Sequence, residues 1–213
     1  VGDYNTRGIF ADETLIEHWN GWNWSVVPSP NASSTSNTLF SVAAASASDV
    51  WAVGSYVNNI GVTPTLIEHW DGMSWSVLGN VDGILLSVAA LSASDIWAVG
   101  QNSNGQTLAE QWNGTSWNVV PSPNIGSSIN DLSGVAAVSA SDVWAVGYFY
   151  NSTGPAQTFI EQWNGTIWSV VSSPDLDGYL KGVAQIPGCA NAWAVGEYSN
   201  SNGINRTLIE QYS

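Results

Sequence analysis

One nine-residue phrase, Ser-Ala-Ser-Asp-Val-Trp-Ala-Val-Gly, constrains this chain more than anything else in it. It runs from Ser46 to Gly54, returns with one change from Ser92 to Gly100, and returns unchanged from Ser139 to Gly147. A degraded copy spans Cys189 to Gly196, and Val1-Gly2 matches its last two residues. A second phrase keeps step with it: Thr-Leu-Ile-Glu-His-Trp or a close variant starts at Thr14, Thr65, Thr107, Thr158 and Thr207, at intervals of 51, 42, 51 and 49 residues. A near-constant interval of this size marks one supersecondary unit copied along the chain, each copy burying its apolar surface against the next.

Each unit holds four short apolar segments. In the second copy these are strand A, Leu39 to Ala45; strand B, Asp49 to Gly54; strand C, Thr65 to Trp70; and strand D, from Trp75. All are rich in Val, Ile, Trp and Thr and too short for good helices, so they are expected to be strands. Asn20-Gly21, Asp71-Gly72, Asn113-Gly114 and Asn164-Gly165 join C to D and suit tight hairpins. The A-to-B turn carries Asp49, Asp95 and Asp142, expected to bond back to the backbone and fix the turn; Asn191 stands at that place in the degraded copy. Along strand B, Trp51 and Val53 point one way and Val50 and Ala52 the other. Both faces are apolar, so the strand is expected to be covered on both sides, as when blades stack face to face around an axis. Trp51, Trp97, Trp144 and Trp193 are the expected core residues of strand B.

The fold expected is therefore all-β: a single β-propeller domain over residues 1–213, made of four-stranded antiparallel blades at about 1–30, 39–79, 85–123, 132–174 and 180–213. The first blade has B, C and D; the last has A, B and C. About five blades with the outer two incomplete, or an arc of a larger ring, both fit this count. The blade pattern resembles the kelch-type β-propeller. Gly54, Trp70 and Trp75 fall where that family has a glycine-ended second strand, an aromatic in strand three and a Trp in strand four, and Gly100, Trp112 and Trp117 repeat the match. A single glycine replaces the kelch pair, and Trp stands in strand three where Tyr is usual. The chain is still more similar to the highly repetitive propellers of bacterial secreted and surface proteins, which implies a location outside the cell.

Charge narrows the function. Only 9% of residues are charged, against about a quarter in an average domain. With 17 acidic and 3 basic residues the net charge is −14, which opposes binding to nucleic acid. No apolar run is long enough for membrane insertion as a helix. Two histidines and the lone Cys189 leave no zinc or copper ligand set, and Cys189 is expected to be a small core residue. Asp175-Leu-Asp177-Gly178 matches half of a calcium loop but lacks the later Glu. Neither a cofactor nor a catalytic residue is expected, and the chain is not expected to be an enzyme. The strand C glutamates Glu17, Glu68, Glu110, Glu161 and Glu210 recur once per blade. They are expected to be structural acceptors for backbone or indole N–H groups, since an acid–base pair needs two unlike environments.

The A–B and C–D turns hardly vary between copies, whereas the B–C and D–A connections vary in every one. One end of the propeller is thus set by turn geometry and the other is free for recognition. The variable end offers Tyr4, Tyr56, Tyr148 and Tyr198, two residues past the glycine, with Asn58, Asn102, Asn151 and Asn200 nearby. Flat rings beside amides suit uncharged sugars. The expected partner is a glycan or a surface protein, bound through the variable loops. The alternative is a structural repeat protein of an extracellular coat or fibre, self-associating through the edge strands of its incomplete blades.

Overall fold

The computed structural model describes residues 1–5, 11–79, 81–174, 176–186, 188 and 191–212. Arg7, Asp175 and Cys189 lie outside them. All regular structure among the described residues is β. Blade 1 comprises β1 (Gly2–Asn5), β2 (Asp12–Leu15), β3 (Glu17–Trp19) and β4 (Trp24–Val26). Blade 2 comprises β5 (Ser36–Ser46), β6 (Asp49–Val57), β7 (Thr65–Trp70) and β8 (Trp75–Val77). Blade 3 follows as β9 (Ile84–Ser92), β10 (Asp95–Gln101), β11 (Thr107–Trp112) and β12 (Trp117–Val119). Blade 4 is β13 (Ile129–Ser139), β14 (Asp142–Tyr150), β15 (Gln157–Trp163) and β16 (Trp168–Val170). Blade 5 has three strands, β17 (Gly178–Gln185), β18 (Ala192–Ser199) and β19 (Asn205–Tyr212).

Blades 2, 3 and 4 are antiparallel four-stranded meanders in chain order. Among the described residues blade 1 shows no inner strand, and its hairpin β1–β2 reaches blade 2 through one residue pair, Asp12 with Ser36. Comparable bridges, Pro64 to Asp82 and Gln157 to Asp177, tie the start of strand C to the following connection in blades 2 and 4. The inner strands pack in succession, β5 on β9, β9 on β13 and β13 on β17, so the blades fan out from a common axis.

The core lies between the blades, as the doubly apolar strand B requires. Trp51 and Val53 face blade 3 and pack with Ile67, Leu85, Val88 and Leu108, while Ala52 faces blade 1 and packs with Ile16, Leu39 and Leu66. Blade 3 repeats this: Trp97 and Val99 enter the layer with blade 4, and Ile96 and Ala98 the layer with blade 2. In each complete layer a strand B indole rests on the strand C and D rings of the next blade. Trp51 lies 5.0 Å from Trp112 and 5.2 Å from Trp117, centroid to centroid; Trp97 lies 5.1 Å from Trp163 and 5.2 Å from Trp168. Trp144 meets Tyr212 at 5.0 Å. Trp51, Trp97 and Trp144 are buried, but Trp193 is 40% exposed. In strand B an indole is buried by the next blade, and among the described residues none lies against that face of blade 5, so the core position expected for Trp193 is not seen there.

The recurring glycine after strand B answers a steric demand. A Cβ on Gly54, Gly100, Gly147 or Gly196 would lie 1.8–1.9 Å from a carbonyl oxygen of strand A, where the A–B ladder shifts register.

Candidate functional site

The two ends of the blades are built differently. At the end where the turns repeat, Ser46, Ser92 and Ser139 Oγ accept from the backbone N–H two residues on, at Ser48, Ser94 and Ser141. The serines thus hold the turn, and the aspartates do something else. Asp49 Oδ1 accepts from Trp51 Nε1 and pairs with His69 Nε2, both at 2.8 Å; Asp142 Oδ1 accepts from Trp144 Nε1 and Gln162 Nε2, both at 2.9 Å. Asp95 Oδ1 accepts from Gln111 Nε2 at 2.9 Å. Each aspartate locks a strand C side chain to the head of strand B, and in blades 2 and 4 the core indole as well. That corrects the turn-forming role expected for Asp49, Asp95 and Asp142. The C–D glycines Gly72, Gly114 and Gly165 press against Ser48, Ser94 and Ser141, so both invariant turns share one end of the molecule.

The variable end does not gather the expected tyrosines into one platform. Tyr4 donates to Glu13 Oε2 at 2.7 Å, within its own hairpin. Tyr56 packs on the cluster around Leu39, and Tyr198 on the cluster around Leu180. Tyr148 alone joins other rings: it meets Tyr150 at 5.8 Å and Tyr179 at 4.8 Å, with Lys181 Nζ 5.6 Å above its centroid. Burial, with Asp131 nearby, pushes the Tyr148 hydroxyl up to about 12, so it stays a neutral phenol. Tyr150, Tyr179 and Lys181 carry no repeat signal, which is why sequence reasoning passed over them.

Three of the four expected asparagines staple their own loops. Asn58 Oδ1 accepts from Ile60 and Val62 N–H, Asn102 from Asn104 and Gln106, and Asn200 from Asn202 and Ile204. These are turns closed by an amide side chain, and their acceptor oxygens are not free for a ligand. Asn151 Oδ1 accepts from Ser127 N–H at 3.3 Å and ties two loops together.

What the variable end does form is a cleft of about 770 Å³ between blades 2, 3 and 4. Its walls come from Gly61–Thr63, Asp82–Ile84, Gln101–Gly105 and Ser128–Ile129, all in or beside the B–C and D–A connections. Gln101 lines it, and its Nε2 is shielded from solvent and without a hydrogen-bond partner. Ser103 Oγ donates to Asp82, the one carboxylate among the described lining residues. The register residue after each glycine is Ser55, Gln101, Tyr148 or Glu197, so nothing in the repeat marks Gln101 out.

The strand C glutamates lie elsewhere, between blades. Glu161 accepts from Ser122 Oγ at 2.8 Å and Glu210 from Ser173 Oγ at 2.9 Å, each hydroxyl reaching across from the preceding blade. Both Glu68 oxygens and Glu110 Oε1 are buried without partners. Burial pushes the carboxyls of Glu68 and Glu161 up to about 8 and that of Glu110 to about 7. Hydroxyls, not indoles or backbone N–H groups, are thus the donors seen at these acceptors; the indoles of Trp112 and Trp163 go to the carbonyls of Ala93 and Ala140. Among the described residues no three His, Cys, Asp or Glu side chains are placed to hold a metal ion.

Antiparallel blades fanned about an axis, with the core between them, make this an all-β fold consistent with a partial β-propeller. No protein-family model and no curated protein sequence matches the chain. Among solved structures it is similar to the β-propeller YCF48 from Cyanidioschyzon merolae, with a TM-score of 0.52 over 83% of this chain at 13% identity. The chain spans 58% of that structure's length. At this identity the likeness concerns the fold alone.

Proposed function

We propose that the protein is a non-enzymatic recognition propeller acting outside the cell, and that it binds an uncharged, polyhydroxylated ligand, a glycan segment, in the cleft on its variable-loop end. The observation that carries this reading is Gln101. A buried amide N–H without a partner costs about 1–3 kcal/mol, and turning the side chain into the cleft to meet a ligand hydroxyl or carbonyl recovers it. The surrounding groups, Thr63, Asn104 and Ser128 with several glycine backbones, are neutral donors and acceptors of the kind sugar hydroxyls pair with. A net charge of −14 disfavours phosphorylated or sulfated ligands. A lone Asp82, with no second carboxylate among the described lining residues, supports binding over acid–base chemistry.

The test is a glycan array followed by thermal shift with each hit. A bound sugar raises Tm as RT ln(1 + [L]/Kd). Gln101→Ala and Ser103→Ala are expected to weaken the hit about tenfold each, by removing one hydrogen bond from a desolvated site. If no neutral sugar shifts Tm, or if hits survive both substitutions unchanged, the reading is wrong.

A further inference from the structure

The C–D hairpins place the same backbone donors on two different side chains. In blade 2 the turn is Asp71-Gly72, and Asp71 Oδ1 accepts from Met73 N–H at 2.8 Å and Ser74 N–H at 2.9 Å. In blade 3 the turn is Asn113-Gly114, and Asn113 Oδ1 accepts from Thr115 and Ser116 N–H, both at 3.0 Å. The Thr115 hydroxyl donates to the same oxygen at 2.7 Å. In blade 4 Asn164 Oδ1 accepts from Thr166 N–H at 2.9 Å and Ile167 N–H at 3.0 Å. Asp71, Asn113 and Asn164 are all exposed. The hairpin thus fits a carboxylate as well as an amide, and the Ser74 and Met73 N–H groups hold the Asp71 carboxyl below its ordinary range.

An asparagine followed by glycine is open to attack by the next backbone nitrogen, because no side chain obstructs the approach. Gly114 lies between the paired residues of β11 and β12, so its N–H is not tied into their ladder. In that attack negative charge develops on the amide oxygen, the atom on which three donors already converge at Asn113. Donors held in place at an oxygen that gains charge lower the barrier to acyl transfer.

We propose that Asn113 is a site of self-catalysed deamidation, and that its hairpin then carries aspartate as blade 2 carries Asp71. The Gly114 nitrogen gives its proton to water and bonds to Asn113 Cγ. The Cγ–Nδ2 bond breaks, and Nδ2 takes up a proton and leaves as ammonia, which closes a cyclic imide. A water molecule opens the imide. Breaking the new bond from Cγ to the Gly114 nitrogen restores the ordinary backbone with aspartate at this position; breaking the main-chain amide instead gives the isoaspartyl form. Asn164 has the two N–H donors without the hydroxyl and is the slower site. Asn20 Oδ1 accepts from Trp22 and Asn23 N–H, and its Nδ2 donates to Asn23 Oδ1 at 2.7 Å, which ties down the leaving group and makes it the slowest. Each conversion adds one negative charge at the repeated end, away from the cleft.

Incubation of the folded protein at mildly alkaline pH, followed by isoelectric focusing and peptide mapping by mass spectrometry, tests this. Acidic species are expected to accumulate with time, Asn113 converting first, Asn164 next and Asn20 last. In oxygen-labelled water each new carboxyl should carry one labelled atom. Thr115→Val should slow Asn113 about threefold or more, the worth of one exposed hydrogen bond, while Thr115→Ser keeps the rate. Asn164 in the same variants should be unchanged, which checks that the blades are folded. The order of the three sites is read on the unsubstituted protein and depends on no variant. The proposal is overturned if Asn113 stays an amide, if it converts no faster than Asn20, or if T115V with an unchanged Asn164 rate leaves Asn113 unchanged as well.

Discussion

At the scale of single residues, two kinds of position have unusual energetics. The first is the glycine that closes strand B. A methyl at Gly147 would lie 1.9 Å from the Asp131 carbonyl oxygen, which cannot retreat without breaking the A–B ladder. Gly147→Ala is expected to lower unfolding free energy by more than about 2 kcal/mol, measured by urea denaturation. The second is the buried glutamate. Glu68, Glu110 and Glu161 have carboxyls raised from 4.5 to about 8, 7 and 8 by burial. Between the unfolded and folded values the native state holds more protons than the unfolded chain, so stability falls as pH rises through that window and levels off above it. Stability should therefore be higher near pH 5 than near pH 8.5, by an amount on the order of a few kcal/mol. Glu68→Gln should flatten this slope and stabilise the protein at the upper end, since a neutral amide need not be deprotonated in a buried site. Chemical denaturation across pH reads both effects; a slope of the opposite sign would contradict the burial of these carboxyls.

At the scale of elements, strand B is where sequence and structure agree most closely. Its doubly apolar pattern shows a strand covered on both faces, and Trp51, Trp97 and Trp144 are buried accordingly. Replacing Trp97 by Ala should cost about 3–5 kcal/mol, as for other fully buried large aromatics. Trp193→Ala, in the same motif, should cost less, about 1–3 kcal/mol, since Trp193 is 40% exposed. Equilibrium unfolding of the two variants under dilute conditions makes the comparison. The contrast explains what the repeat could and could not convey. Local pattern specifies strand, turn and face, but burial at a blade surface depends on whether another blade lies against it, which no residue within the motif encodes. The aspartates show a related limit. The Ser-Ala-Ser-Asp turn was legible, but that Asp49 reaches to His69 across the sheet depends on the register of strand C. The loops were least legible. Asn58, Asn102 and Asn200 look like ligand amides in the sequence, yet each is consumed by its own turn, while Gln101 acquires its place only when four connections from three blades converge.

At the scale of the whole molecule, the propeller has one repeated end and one variable end. One end repeats the same serine turns, aspartate locks and glycine hairpins in blade after blade, and the other carries connections that differ in each. The net charge of −14 spreads over a surface dominated by neutral Asn, Ser, Thr and Gly, which suits an uncharged ligand better than a polyanion. The most direct test of this division is NMR titration of the isotopically labelled protein with the tightest neutral glycan from the array. The account predicts that shifted backbone amides cluster at Asp82–Ile84, Gln101–Gly105 and Ser128–Ile129, around the cleft. Shifts clustered instead at the Ser46–Asp49, Ser92–Asp95 and Ser139–Asp142 turns would contradict it.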